Sequence, residues 1–438
     1  MREAHYRLSI SPAIEAFRPE IEYACGFLDA CYHVARTPDA ERVLHYGPDA
    51  PAGAVAVPAA LFPDGVRIDA DGIYPSREKL LSIVRAKEGG LTPADHPFRP
   101  GVPFRYDPLG LIFFMLSRLE ERDHPARDRY RRFPMTAALI QPEMGRLYPF
   151  ADRATRDIAA ALTGDENPPS RTAYSVMFTH DVDILKGYHR PIEPLWNAAG
   201  DLFKRLNPRS ALKRLSNAYC SGEPWTSFRK LMALSEENGI ASRFYLMGPS
   251  KDPMDSPYSV RLRDLLRRVT AEITKRGHVI GFHPGFHTAT DPAEWLRQRS
   301  GLEVIIEAPV REGRQHVLRY DAAVTPRIWS DAGMVLDCTL AYPEAVGFRA
   351  GTCREFHAYD LVARCQLPLK QISTAVMEFG LFGGKYRDLS VEQAIAESNW
   401  ASDICRQFGG TFVLLFHTGQ AQRPLWTWIK TALAHAAP

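Results

Sequence analysis

From residue 171 to the C-terminus, short apolar runs alternate with longer stretches of helical period. The runs are 174–178 (Tyr-Ser-Val-Met-Phe), 242–247, 279–282, 315–320, 334–338, 366–372 and 412–416 (Phe-Val-Leu-Leu-Phe). All are brief, and the first is β-branched and aromatic in the way a buried strand is. Helices are predicted over about 258–276, from Asp291, and over Ser390–Phe408. Asp291-Pro292-Ala293-Glu294 combines an N-cap, a proline at the first helical position and a capping-box glutamate; Ser390 with Gln393 repeats that signal, and Gly409-Gly410 supplies a stop. Such alternation predicts parallel strands joined by crossover helices, as an open sheet or a barrel.

Residues 1 to about 165 read differently: apolar patches alternate with proline-rich turns around one strong helical run, Pro108–Glu121. Its apolar residues are too continuous for a solvated helix, so it belongs to a core or to a contact between domains. Thr163–Ser170, rich in turn formers, reads as a linker. The expected division is therefore an N-terminal domain (1–165) and an α/β domain (171–438). An insertion at about 187–225 breaks the rhythm of the second; it carries a basic stretch, 204–214, beside Trp196, Phe203 and Trp225. Both a solvated helical insertion and a lid or binding surface for an anionic substrate, such as a phosphate-bearing sugar carrier or an acidic glycan, fit that pattern.

Composition narrows the classes. A chain of 438 residues, 45% hydrophobic, buries one large core or two ordinary ones. A net charge of +3 argues against a whole-surface nucleic-acid footprint. The seven cysteines include no Cys-x-x-Cys pair, so neither a disulfide framework nor a structural zinc site is expected. With no signal-peptide pattern and no apolar stretch long enough to span a bilayer, the expectation is a soluble, cytoplasmic protein without an integral membrane segment.

Chemically capable residues recur at the strand ends. His180, Asp181 and Asp183 follow the first run; His283 and His287 follow 279–282; Arg314, His316 and Arg319 lie around the fourth; His417 follows 412–416. In a parallel sheet or barrel the C-terminal strand ends share one face, where side chains distant in sequence converge. Imidazoles with a carboxylate suit zinc or a neighbouring first-row metal, a second carboxylate can take a proton from water, a histidine can protonate a leaving group, and an arginine can hold a carboxylate ionised.

In this order the motifs resemble those of the polysaccharide deacetylases of the NodB-homology superfamily, carbohydrate esterase family four, whose fold is a distorted (β/α) barrel of about seven strands. Thr179-His180-Asp181-Val182-Asp183 resembles the family's Thr-Phe-Asp-Asp motif with one residue inserted, which implies Asp181 as general base and Asp183 as metal ligand. His283-Pro284-Gly285-Phe286-His287 resembles the His-(Ser/Thr)-x-x-His ligand pair with proline at the second position. Arg314–Tyr320 stands where the family supplies an arginine to the base, and Leu414-Leu415-Phe416-His417 resembles the strand that delivers the general acid. Ile280–Pro284, Arg314-Gln315-His316, Asp337-Cys338-Thr339-Leu340 and Gly347–Thr352 further resemble a divergent subgroup linked to surface-polysaccharide and O-antigen clusters, in which an accessory domain precedes the barrel.

The resemblance implies a fold with a distorted (β/α) barrel of parallel strands and a smaller N-terminal α/β accessory domain. It implies a divalent metal, zinc foremost, on Asp183, His283 and His316, with His287 the alternate third ligand; Asp181, His417 and Arg319 as catalytic groups; and Arg349, Arg314 and His180 toward substrate. The implied reaction is removal of an acetyl group from an N-acetylated sugar or glycan, with no nucleic-acid partner. Hydrolysis of another amide, or a catalytically silent carbohydrate-binding or assembly role, are the alternatives.

Overall fold

A computed structural model of the chain describes residues 3–62, 75–86, 90–92, 98–185, 193–215, 226–256, 258–418 and 423–438. The chain divides into two compact units: residues 1–176 with 317–413 and 438, and residues 177–316 with 414–437. The expected cut near 163–170 therefore falls inside the first unit. The expected insertion lies partly outside the described residues; helices Glu193–Phe203 and Pro208–Leu215 occupy its middle.

The first unit holds an open parallel sheet in the order 34–36, 4–10, 43–46, 55–57. Its core runs from Tyr6 to Leu162 and then takes in Tyr320, Leu340, Phe356, Tyr359 and Leu361. The cause is the helix Pro108–Ser117, buried along its whole length, which has no polar face to turn to water. Phe113 packs edge-on against Tyr359 at 5.0 Å and Tyr23 at 6.1 Å. Asp107 caps this helix by accepting from the Gly110 amide at 2.6 Å, and Arg118 ends it in a left-handed conformation (φ 54°). Strand Cys365–Gln371 runs antiparallel to Phe356–Asp360, so this part of the chain forms a hairpin and not a further crossover unit.

The second unit is built on parallel pairing. Phe178–Val182 lies opposite Ser242–Leu246, Arg243–Leu246 opposite Val279–Phe282, and Phe282 opposite Gly313. Helices Thr226–Glu237, Arg263–Lys275 and Pro292–Ile306 make the crossovers. The first strand extends from Ser175 to Val182, four residues beyond the expected run, because Thr179–Val182 are buried and paired. The run expected at 315–320 is not a strand: after Glu312–Gly313 the chain turns through His316–Leu318, with Val317 at φ 51°. The architecture is mixed α/β with parallel strands, and among the described residues no sheet closes into a barrel.

Within the first unit, Arg118 and Arg349 both reach Glu121, Arg118 through Nε at 2.8 Å and Arg349 through Nη2 at 2.7 Å, and Arg118 also meets Glu120 at 2.8 Å. All four side chains are 1–2% exposed. Breaking such a network leaves buried charge uncompensated. Glu121→Gln is expected to cost about 3–5 kcal/mol, read as a lower denaturant midpoint in equilibrium unfolding.

Candidate metal and proton-transfer site

Every parallel strand of the second unit ends at the same edge of its sheet. The strand Ser175–Val182 delivers Asp181 and then Asp183; Val279–Phe282 is followed by His283; Glu312–Gly313 by Arg314 and His316; and Thr411–Leu415 by His417. The loop after Ser242–Leu246 contributes Asp255.

Local backbone geometry sets the two histidines side by side. The His283 amide donates to Leu246 O at 2.8 Å, the Arg314 amide to Phe282 O at 3.1 Å and the His316 amide to Pro284 O at 3.0 Å. Their rings lie 5.2 Å apart between centroids. Two glycines permit the close approach: a Cβ on Gly313 would strike Phe282 O, and one on Gly285 would strike the Asp255 carboxylate. Gln315 pins the same loop by donating to Gly285 O at 2.7 Å and Thr288 Oγ1 at 2.8 Å.

Each imidazole is committed at Nδ1. His283 Nδ1 lies 2.6 Å from Arg314 O, which can only accept, and His316 Nδ1 lies 2.8 Å from Asp255 Oδ1. Both rings therefore donate from Nδ1 and present Nε2 to Asp183, at 3.3 Å from His283 and 4.0 Å from His316. Asp183 Oδ1 is buried and makes no hydrogen bond. Among the described residues this trio is the one group of three such side chains whose ligand atoms fall within 4.8 Å of one another. Burial alone would lower the His283 pKa, but the Asp181 and Asp183 carboxylates raise it. Burial likewise pushes Asp183 up, and the imidazoles of His283, His417 and His316 outweigh it, holding the carboxyl below its usual range. A pocket that draws a proton onto a ligand nitrogen suits a divalent cation in that proton's place. Two imidazoles and a carboxylate, with Nδ1 of each ring held by an acceptor, are the donor set and outer support of zinc-type sites.

Beside the trio stands a second carboxylate. Arg314, fully buried, donates from Nη1 to Asp181 Oδ1 at 2.6 Å and from Nη2 to Thr179 Oγ1 at 2.8 Å. Asp181 Oδ2 lies 3.9 Å from His283 Nε2. Burial would raise the Asp181 pKa, but the Arg314 guanidinium, with His283 and His417, brings it down. His417 Nε2 stands 3.7 Å from Asp183 Oδ2.

Four residues named from sequence stand elsewhere. His287 is 55% exposed and paired with Asp252 at 2.8 Å, apart from the trio. His180 is buried with both nitrogens used, Nδ1 donating to Phe416 O at 2.9 Å and Nε2 accepting from Ser242 at 3.0 Å; it is a packing residue stacked on Phe244, with no group left for substrate. Arg349 is buried on Glu121 in the first unit and cannot reach out to a ligand. Arg319 belongs to the first unit, whereas the arginine on Asp181 is Arg314, which the sequence reading assigned to substrate. Sequence reasoning missed Asp255. The signal was an acidic residue in the loop after 242–247, a strand end to which no chemistry had been assigned.

Burial lowers the His180 pKa from 6.5 to about 3. The unfolded chain then binds a proton that the folded one does not, so this contribution is present above pH 6.5 and is lost as pH falls toward 3. The attributable slope is at most about 1.4 kcal/mol per pH unit. His180→Gln, which keeps a donor and an acceptor, is expected to flatten the decline of unfolding free energy between pH 6.5 and 5 relative to the native chain.

No curated protein matches the chain. The model of a family of unknown function, DUF7033, matches residues 56–163. Among solved structures the chain is similar to one described as a putative polysaccharide deacetylase from Mycobacterium smegmatis, with 18% identity and a TM-score of 0.41 over 61% of this chain and 85% of that one.

Proposed function

We propose that the chain is a metal-dependent hydrolase that removes the acetyl group from an N-acetylated sugar in a surface polysaccharide or its precursor. The observation that carries this reading is the juxtaposition of two differently held carboxylates: Asp183 facing His283 and His316 Nε2, and Asp181 clamped by Arg314. The order of motifs along the chain supports it.

Asp183, His283 and His316 would hold a divalent ion, zinc being the first candidate from the donor set. When bound, such an ion polarises an acyl oxygen and acidifies water. The chain's own residues do the rest. Arg314 occupies Asp181 Oδ1, which leaves Oδ2 to take the proton of the attacking water. His417 protonates the amine as the C–N bond breaks, so the products are acetate and a free amino sugar. Asp255 fixes the tautomer and orientation of His316.

Two measurements test this reading. Metal-replete protein is expected to release acetate from N-acetylated oligosaccharides, and Asp181→Asn to lose activity by about 10²–10⁴-fold while retaining its metal; an inactive native enzyme, or an Asp181→Asn variant equal to it, overturns the proposal. Independently of turnover, Asp255→Asn is expected to weaken zinc binding by about 10–100-fold in a chelator competition titration.

A further inference from the structure

The helices Glu193–Phe203 and Pro208–Leu215 present an outer face that water does not favour. In the first helix Pro194, Ala198 and Asp201 are buried, at spacings of four and three, and form its inner stripe. The opposite stripe of a solvated helix carries polar residues. Here it carries Leu195, Trp196, Leu202 and Phe203, with Trp196 72% and Phe203 76% exposed.

The apolar surface continues beyond that helix. Leu206, at the turn, is 81% exposed in a left-handed backbone conformation (φ 48°), unusual for leucine. The turn is fixed by Asn207, whose amide donates to Asp201 O at 2.9 Å and whose side chain accepts from the Ser210 amide at 3.0 Å. Leu212 on the second helix is 70% exposed. Interleaved with these residues are exposed Lys204, Arg205 and Arg209. The acid of residues 195–212 is Asp201, buried and paired with Arg205. The exposed charge on this face is therefore wholly positive.

We propose that this helix pair is a peripheral membrane-docking element for an anionic lipid surface. Trp196, Phe203, Leu206 and Leu212 enter the boundary between headgroups and acyl chains, and Lys204 and Arg209 meet lipid phosphates. The helices are 11 and 8 residues long, and no described helix is long and apolar enough to cross a bilayer, so the element lies on the surface and does not span it. A second copy of the chain fits less well, because a two-fold contact would oppose the same cations across the interface. The proposal is independent of the chemistry assigned to the strand ends.

Vesicle flotation of the full chain tests it. The native protein is expected to float with phosphatidylcholine vesicles containing phosphatidylglycerol, less at high salt, and not with phosphatidylcholine alone. Trp196→Ser with Phe203→Ser, and separately Lys204→Glu with Arg209→Glu, are each expected to weaken binding by at least about tenfold. Because these side chains are exposed, unfolding midpoints should stay unchanged. Absence of the native protein from anionic vesicles, or variants that float as it does, overturns the proposal. So does a dimer in light scattering that the Trp196→Ser, Phe203→Ser variant dissolves without any vesicle binding.

Discussion

The second unit depends on where the Arg314 guanidinium is buried. Its two amino groups reach Asp181 and Thr179, on the strand Ser175–Val182; its amide donates to Phe282 O; its carbonyl accepts from His283 Nδ1. One residue thus ties together the strand that carries Asp181 and leads into Asp183 and the strand that precedes His283. A buried cation without a counter-charge is costly, so the register that brings Arg314 onto Asp181 also selects the backbone that turns His283 Nε2 toward Asp183. The Tyr245 ring, 5.2 Å beneath the guanidinium, adds a favourable quadrupole where water is excluded.

Much of the order of strands and helices after residue 171 was legible in the sequence because its signals are local. The runs at 242–247, 279–282 and 412–416 match strands to within a residue or two, and Ser390 with Gln393 forms a complete capping box. Asp291 accepts from the Glu294 amide at 3.0 Å as expected, but the Glu294 side chain turns to Arg297 and Gln298, so only half of that box is made. Illegible features depend on pairing at a distance. That Arg314 is the arginine on Asp181 follows from the pairing of its amide with Phe282 O, and the bend that follows at Val317 and Leu318 (φ 51° and 58°) uses left-handed conformations that β-branched and bulky residues adopt at a cost no propensity foresees. His180 looked like chemistry because it adjoins two aspartates, yet alternation along a strand sends its side chain to the opposite face from Asp181.

The first unit shows the limit of reading domains from linkers. Thr163–Ser170 has the composition of a boundary, but the apolar helix Pro108–Ser117 needs more cover than residues 1–165 supply, and residues 317–413 provide it through Phe356, Tyr359 and Leu361. The ion network follows the same logic. Arg118 is held in a left-handed turn at the end of the apolar helix, and Arg349 lies in the turn-rich 347–352 segment, which seen alone resembles a surface turn. Together on Glu121 they form a buried structural element, at the cost of Arg349 as a group available to ligand.

The two carboxylates of the proposed site are best understood as one arrangement. A carboxylate whose pKa is held low is a weak base toward ordinary water, because the proton it would receive is bound poorly. Arg314 gives Asp181 this property, and keeps it ionised and fixed in place. Such a base suits water that is already acidic, which is what a divalent ion at Asp183, His283 and His316 would supply. In turn, the rings of His283 and His316 can offer Nε2 only because Arg314 O and Asp255 hold the opposite nitrogens. Arg314 therefore acts on both halves of the proposed chemistry, through its side chain on the base and through its carbonyl on a ligand. Loss of its side chain would remove the first role directly and touch the second only through the register that the guanidinium helps to fix, so the base and the ligand are coupled through one residue.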